Sequence, residues 1–290
     1  MKFEDVESVV YLEPKSSFCE IAADYFRNKF NLQSYLQGVS SIKQIVELLD
    51  ETPNTLAVLP AENTIDGMIR ETFDSIVEAK NPNIKILSEV ILPVNYCLLS
   101  KTTELYSITG VIATPQMLSK CHEFIENELP RNLNIIEAPT SYEAARLLDC
   151  HNLTFASIGT EKTAETFNLN ILKSQINDDK YNFTRFVLVG DYETQVTGFD
   201  KTTIAFACEN RPGELVKNMN IFAKYGINIS YISSQASKYD FDEYTLIVNL
   251  DGHYTNSKLL EAINEVKNST KFFKFLGSYP KSKVQENVLI

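Results

Sequence analysis

The segment Asp178–Phe186, D-D-K-Y-N-F-T-R-F, sets an amide, a hydroxyl and a guanidinium close together at the start of a strand-like run. Because side chains alternate along a strand, Asn182, Thr184 and Phe186 share one face and Arg185 lies on the other. A hydroxyl beside an aromatic ring could donate a hydrogen bond to a leaving hydroxyl group, provided the site stabilises the developing charge. From spacing alone, however, Thr184 is better explained as a β-branched strand residue and Arg185 as a surface ion-pair partner.

Hydroxyl and amide residues also recur where predicted strands end and helices begin. In open α/β folds these junctions face the ligand crevice, and helix N-termini there offer free N–H groups to carboxylates. Each junction alone is better explained as a helix N-cap, but five together indicate a small anionic ligand. The junctions are Ser16-Ser17, Asn63-Thr64, Thr114-Pro115-Gln116, Thr140-Ser141 and Thr160.

Strand-like and helical patterns alternate up to about residue 190, which predicts an α/β architecture with mostly parallel sheets. One β-rich run, KILSEVILPVNYCLLS (residues 85–100), predicts a single long strand that passes between two lobes. The polar segment 191–200 predicts a domain boundary, which divides the chain into residues 1–195 and 200–281. The second part has the pattern βαββαβ, which is the ferredoxin-like unit.

The composition limits the classes of partner. A net charge of −11 without a basic stretch argues against nucleic acid and anionic membranes as partners. No apolar run approaches the length of a membrane span. Five dispersed cysteines without a CxxC pair predict reduced thiols in a cytoplasmic protein, and neither they nor the three dispersed histidines predict a metal site.

Several motifs, in the same order along the chain, resemble those of the prephenate dehydratases. AVLPAENTIDG (residues 57–67) is similar to VVPIENSIEG, NFTRF preceded by Asp178 resembles D-x-x-x-N-x-T-R-F, and ATPQMLSKC resembles SHPQALAQC. NRPGELV, FAKYGINIS and FLGSYP resemble the ACT regulatory domain of these enzymes. The resemblance implies a two-lobed catalytic domain of the periplasmic-binding-protein kind followed by an ACT domain.

The same resemblance implies an enzyme of phenylalanine biosynthesis, a lyase that removes water and carbon dioxide from prephenate to give phenylpyruvate without cofactor or metal. It implies Thr184 as the catalytic hydroxyl. The substrate-binding residues it implies are Asn63, Glu62, Thr64, Ser17, Thr140, Ser141, Arg185 and Lys120, although alternation turns Arg185 away. Ala113 and Lys120 depart from the family's serine and glutamine. Two alternatives therefore stay open, a prephenate decarboxylase that keeps the hydroxyl and a ligand-sensing protein without turnover, and arogenate is an alternative substrate.

For the ACT domain, the resemblance implies a homodimer or homotetramer with an amino-acid effector at the interface. The effector residues it implies are Asn210, Pro212, Gly213, Glu214, Leu215, Ser233, Ser234 and Gln235. Glu214 repels a carboxylate, and Ser233 and Gln235 replace charged residues of the family pattern. We therefore expect phenylalanine to inhibit weakly or not at all, with dimerisation alone or another amino acid as the domain's role. Ser237→Ala, in the same domain, should leave basal kcat intact.

Overall fold

The structure is a computed structural model that describes residue 3, residues 5–236 and residues 244–285. Ser237 lies outside the described residues. The described strands are, in chain order, β1 (Ser8–Leu12), β2 (Tyr35–Val39), β3 (Thr55–Asn63), β4 (Gly67–Met68), β5 (Lys85–Pro93), β6 (Cys97–Ser100), β7 (Gly110–Ala113), β8 (Asn134–Glu137), β9 (Phe155–Gly159), β10 (Asn170–Lys173), β11 (Phe183–Gly190), β12 (Asp200–Ala207), β13 (Ile229–Ala236), β14 (Tyr244–Asp251) and β15 (Phe272–Pro280).

Between the strands lie α-helices that start, in most cases, at a hydroxyl or amide N-cap, as the junction pattern predicted. Among the described residues none of the helices is both long and apolar enough to cross a membrane. The helices are α1 (Phe18–Lys29), α2 (Ile42–Glu51), α3 (Arg70–Glu78), α4 (Pro115–Lys120), α5 (His122–Glu128), α6 (Ser141–Leu147), α7 (Glu161–Phe167), α8 (Glu214–Lys224) and α9 (Ser257–Ser269).

Two mixed sheets form two α/β lobes. The first sheet has the order β2-β1-β3-β11-β5 with β4 added to β3, and the second has the order β10-β6-β9-β7-β8. In each sheet some neighbours are parallel, as β1 is to β2 and β3, and others are antiparallel, as β11 is to β3 and β5. The chain leaves the first sheet after β5 and returns to it at β11, so the lobes are joined by two crossings.

The run of residues 85–100 does pass between the lobes, but it is not one strand. β5 ends at Pro93, β6 begins at Cys97, and the two strands belong to different sheets. Asn177, in the returning crossing, clamps the break, because its side chain accepts from the Tyr96 amide (3.1 Å) and donates to the Val94 carbonyl (3.0 Å). The backbone between β5 and β6 is therefore held by the returning segment that carries Asn177. The local sequence pattern of residues 85–100 did not predict this contact.

The third sheet is antiparallel, with the order β13-β14-β12-β15, and carries α8 and α9. This is the predicted βαββαβ arrangement, and we call residues 200–280 the C-terminal unit. It packs directly on the first lobe, since Val187 and Val189 of β11 share a hydrophobic cluster with Ile247 and Leu276. At Gly277 (φ 134°) the approach is so close that a Cβ would lie 2.3 Å from the Ile86 carbonyl oxygen. Only glycine fits there.

Candidate functional site

Thr184, Asn63 and Asn182 meet at the start of β11. Thr184 and Asn63 are directly opposite each other in the antiparallel pair β3–β11. The side-chain amide of Asn63 donates to Thr184 Oγ1 (2.9 Å), to Asn182 Oδ1 (2.8 Å) and to the Phe183 carbonyl (3.2 Å). All three side chains are less than 9% exposed. The predicted shared face of Thr184 and Asn182 is thus confirmed by a common partner.

The hydrogen bond from Asn63 fixes the direction in which the Thr184 hydroxyl can act. Thr184 Oγ1 is the acceptor of this bond, and no acceptor among the described residues takes its own proton. The hydroxyl can therefore donate to a bound oxygen atom while the amide of Asn63 supports its oxygen from behind. Phe186 does not line this site, because its side chain is fully buried in the hydrophobic cluster beneath α1.

Asn63 also orders the loop that follows β3. Its Oδ1 accepts from the amides of Ile65 (2.9 Å) and Asp66 (3.1 Å). The junction Asn63-Thr64 therefore precedes a turn and β4, not a helix as the pattern predicted. The Thr64 hydroxyl is used by the backbone, since it donates to the Tyr181 carbonyl (2.8 Å) and accepts from the Phe183 amide (2.9 Å). Thr64 thereby holds the segment that carries Asn182.

Lys120 reaches across from the second lobe to this loop. Its Nζ lies 2.8 Å from Asp66 Oδ2, and its side chain is only 19% exposed, which is not the solvent-facing position usual for lysine. The Lys120 carbonyl accepts from the Asp178 amide (2.9 Å), at the first residue of the signature segment. Thr184, Asn63, Asp66 and Lys120 thus form one continuous series of contacts between the lobes.

Two aromatic residues lie near this series. Phe18, the first residue of α1, packs edge-on against Tyr96 at 5.8 Å between ring centroids. Burial, then the neighbouring Cys121 and Asp66, raises the pKa of the Tyr96 phenol to about 12. Tyr96 is therefore a neutral hydrogen-bond donor or acceptor at neutral pH. The position of Tyr96 carried no signal in the sequence, whereas Asp66 lies within the motif of residues 57–67.

Ser17, Thr140 and Ser141 lie at helix starts, as predicted. Ser17 caps α1 by accepting from the Glu20 amide (3.4 Å), and Thr140 caps α6 by accepting from the Glu143 amide (3.1 Å). Ser141 is 5% exposed. Ser17 and Thr140 are thus N-caps, and Ser141 is the first residue of α6.

The lobes also touch at the start of α1. Ser16 has a positive φ of 61°, and its carbonyl accepts from the Thr160 hydroxyl of the second lobe (2.7 Å). Lys162 of α7 pairs with Asp24 of α1. Together with the pair Lys120–Asp66, these contacts join the two lobes.

Glu62 and Arg185 are not brought together with Asn63 and Thr184. They are opposite each other in the register of β3 and β11, one residue further along, so alternation turns both to the other face. Arg185 Nε donates to Glu62 Oε2 (3.0 Å) and Nη1 to Glu89 Oε2 (2.8 Å). The sequence predicted that Arg185 is a surface ion-pair partner. Arg185 does form ion pairs, but they are largely buried. Its partner Glu89 of β5 was not recognised from the sequence.

The predicted effector residues lie in the turn before α8, in the first turn of α8 and on β13. Gly213 adopts φ 87°, and Glu214 begins the helix and pairs with Lys217 (3.3 Å). Gln235 does not face this turn, because its side chain is buried against Met68 of the first lobe. The other residues of the set are Asn210, Pro212, Leu215, Ser233 and Ser234.

Within the part of the chain that the structure describes, no three histidine, cysteine or acidic side chains gather in a way that could hold a metal ion. The groups gathered near Thr184 are hydroxyl, amide, ammonium, carboxylate and phenol groups. Such a set can bind an oxygen-rich anion and donate hydrogen bonds to it.

Comparisons with known proteins agree with this arrangement. A family model described as prephenate dehydratase matches residues 9–194. The bifunctional chorismate mutase/prephenate dehydratase of Aquifex aeolicus is 32% identical over 286 residues, which cover 99% of this chain and 77% of that protein. The prephenate dehydratase of Methanocaldococcus jannaschii is 28% identical over 278 residues, which cover 94% of this chain and 98% of that protein.

Among solved structures, the prephenate dehydratase of Arthrobacter aurescens in complex with L-Phe has a TM-score of 0.82 at 24% identity, over 98% of this chain and 93% of that one. At this identity the likeness shows a shared fold. The family-model match includes Asn63, Lys120 and Thr184. Since that match covers more than half of the chain and the Aquifex relative aligns along nearly all of it, the chain belongs to the prephenate dehydratase family.

Proposed function

We propose that this protein catalyses the decarboxylating dehydration of prephenate to phenylpyruvate, which makes it a carbon–oxygen lyase of the hydro-lyase type. The observation that carries the proposal is the hydrogen-bond direction at Thr184, whose oxygen accepts from Asn63 at 2.9 Å and whose proton is left for a ligand. A leaving hydroxyl group needs such a donor at the moment its bond to carbon breaks.

The reaction that this geometry supports balances as follows. The bond between the ring and its carboxylate breaks, releasing carbon dioxide, and the electron pair enters the ring. The bond between the opposite ring carbon and its hydroxyl group then breaks, and the departing oxygen takes one proton, ultimately from solvent, to leave as water. Thr184 donates the hydrogen bond that stabilises the departing oxygen, and the aromatic ring of phenylpyruvate forms.

Lys120 is our candidate for binding a substrate carboxylate. It is the cation that the second lobe brings to the series of contacts at Thr184, and its partner Asp66 is 53% exposed and can be displaced. A substrate carboxylate would then replace the carboxylate of Asp66 in a charge-assisted hydrogen bond. Ser17 and Asn182 lie on the elements that frame the same space, and we propose them as hydrogen-bonding partners of the substrate.

The C-terminal unit is proposed to be the ACT domain, with its boundary in residues 195–200, and to pair with a second copy of the chain. Ile232 on β13 is 47% exposed and Leu215 on α8 is 46% exposed. β13 is an edge strand of the third sheet, and an exposed edge favours pairing with another chain. We propose a homodimer or homotetramer with an amino-acid effector at that interface, which sedimentation would test against a monomer of 32.9 kDa.

The test of the proposed reaction is incubation of the purified protein with prephenate, followed by the absorbance of phenylpyruvate in alkali. A parallel incubation with arogenate is followed by chromatography of phenylalanine, because the amino group of arogenate is retained in its product. Turnover of prephenate with this signal supports the proposal. Loss of prephenate without the signal indicates the decarboxylase alternative, for which the substitutions at Ala113 and Lys120 are the motivation. No loss of either substrate indicates a ligand-sensing protein.

A further inference from the structure

Two carboxylates and two cations gather where the first sheet meets the third, and one of each is buried. Arg185 donates to both Glu62 (3.0 Å) and Glu89 (2.8 Å), and Lys201 Nζ lies 2.7 Å from the same Glu89 oxygen that Arg185 contacts. We call these four residues the Glu89 cluster. Its charges balance, and one of its members, Lys201 of β12, comes from the C-terminal unit.

The cluster is enclosed on the side of the C-terminal unit. The side chains of Glu89 and Lys201 are 1% and 7% exposed. The second oxygen of Glu89 accepts from the Ser282 amide (2.9 Å), and Lys201 Nζ lies 5.7 Å from the ring centroid of Tyr279. Both neighbours belong to β15 or follow it. One oxygen of Glu89 is therefore held by Arg185 of the first sheet together with Lys201 of the C-terminal unit, and the other by the segment that follows β15.

The Glu89 cluster lies next to Thr184 along β11, so it can influence the orientation of the Thr184 hydroxyl. Arg185 is the next residue of β11, and the pairing of β11 with β3 shifts register immediately after it, between Arg185 and Phe186. A shift of this kind leaves a strand locally bent and its ladder incomplete. The side-chain contacts of Arg185 therefore contribute to the orientation of this part of β11, and with it to that of the Thr184 hydroxyl.

Resting on the proposed function, we infer that Lys201 is a positioning residue for Thr184, supplied by the C-terminal unit. Lys201 holds Glu89, Glu89 holds Arg185, and Arg185 fixes the segment of β11 on whose opposite face Thr184 accepts from Asn63. Without Lys201 the cluster keeps two carboxylates and one cation, and Arg185 rearranges between them. The C-terminal unit is then part of what aligns the active site, even with no effector bound.

The experiment compares Lys201→Met with Lys201→Arg and with a matched control, Lys274→Met. Lys274 comes from β15 of the same unit and also crosses to the first lobe, but it donates to the Val77 and Ala79 carbonyls (2.9 and 3.1 Å) at the end of α3. All variants are assayed with prephenate at a temperature at which their thermal unfolding shows them to be folded. Amide hydrogen exchange is followed on β11 in the same set.

We expect Lys201→Met to lower kcat by about tenfold with KM within about twofold, since even a misplacement of about 1 Å can cost about 100-fold in rate. Lys201→Arg should restore most of kcat, Lys274→Met should leave kcat unchanged, and exchange on β11 should quicken in Lys201→Met alone. Unchanged kcat in Lys201→Met, or equal losses in Lys201→Met and Lys274→Met, would overturn the inference. If the wild-type protein does not turn over prephenate, the proposed function fails, and the exchange on β11 alone decides the inference.

Discussion

Thr184 and Arg185 are consecutive residues whose side chains serve opposite faces of the first sheet. Thr184 Oγ1 accepts from Asn63 at 2.9 Å, and Arg185 Nη1 donates to Glu89 at 2.8 Å. One strand therefore presents a hydroxyl to the space between the lobes and a guanidinium to the C-terminal unit. We therefore expect a change on either face to act on the same short stretch of backbone.

Asn63→Ala should impair both turnover and stability. The substitution leaves Thr184 Oγ1 and Asn182 Oδ1 without their donor, and the amides of Ile65 and Asp66 without their acceptor. The Phe183 carbonyl still accepts from the Thr64 amide. We expect kcat to fall on the order of 100-fold, and unfolding to cost about 1–3 kcal/mol less for each group left buried and unpaired. Asn83→Ala, at an exposed asparagine before β5, is the control and should change neither quantity. Wild-type kcat in Asn63→Ala would show that Thr184 needs no support.

Lys120→Met and Asp66→Asn should shift KM in opposite directions. Removing Lys120 takes away the cation proposed for a substrate carboxylate, and the loss of a charged hydrogen bond of about 1.5–3 kcal/mol corresponds to a KM about ten- to a hundredfold higher. Asp66→Asn removes the competing carboxylate, so KM should fall by a few-fold, the scale of about 1 kcal/mol for a partly exposed pair. Steady-state kinetics with prephenate measures both.

The control for Lys120→Met is Lys43→Met, which removes a lysine from an exposed pair with Glu47 on α2 and should leave KM unchanged. A KM that rises in both Lys120→Met and Asp66→Asn would show that the pair matters only as a contact between the lobes.

The stability of the protein should decrease on mild acidification because of His253. Its imidazole is 3% exposed, and burial lowers its pKa, with Asp200 and Glu193 opposing the shift. Below the ordinary histidine pKa of about 6.5 the unfolded chain therefore binds more protons than the folded one, so folding free energy is lost as the pH falls. Thermal midpoints between about pH 7 and about pH 5.5 should fall less in His253→Gln than in the wild type.

Exposed His122 on α5 provides the matched comparison. His122→Gln should retain the wild-type dependence of the thermal midpoint on pH. An identical dependence in His253→Gln and the wild type would remove His253 from this explanation.

Phenylalanine should bind weakly and inhibit weakly or not at all. Glu214 places a negative charge at the start of α8, and Gln235, where the family pattern has arginine, is buried against Met68. A lost charge-assisted contact costs about 1.5–3 kcal/mol, which weakens binding by about ten- to a hundredfold. Calorimetry that finds phenylalanine bound with a low micromolar Kd, together with matching inhibition, would contradict this prediction.

Alternation within one strand was enough to predict that Thr184 and Asn182 share a face and that Arg185 does not. The βαββαβ pattern of the C-terminal unit could likewise be predicted, because each helix and strand has its own apolar periodicity. These are local properties, in which a residue's neighbours along the chain decide its position.

The partners of these residues could not be predicted in the same way. Glu89 lies in an otherwise apolar run of β5, and it meets Arg185 only because the sheet places β11 between β3 and β5. Nothing in the local sequence distinguishes Lys201 and Lys120 from ordinary surface lysines. Their low exposure depends on packing between units that are far apart in sequence. The order of strands in a sheet and the contacts at an interface depend on residues far apart in the chain. They therefore cannot be predicted from a short segment of sequence.

The central claim, that the Thr184 hydroxyl stabilises the leaving oxygen, is tested most directly by kcat for prephenate in Thr184→Val. Valine is nearly isosteric and keeps the strand packing, so the folded protein should persist while the donor is lost. We predict that kcat falls by about 100-fold or more, the scale for removing one donor that acts in the transition state, and that Thr184→Ser keeps most of it. A folded Thr184→Val variant with wild-type kcat would contradict the account.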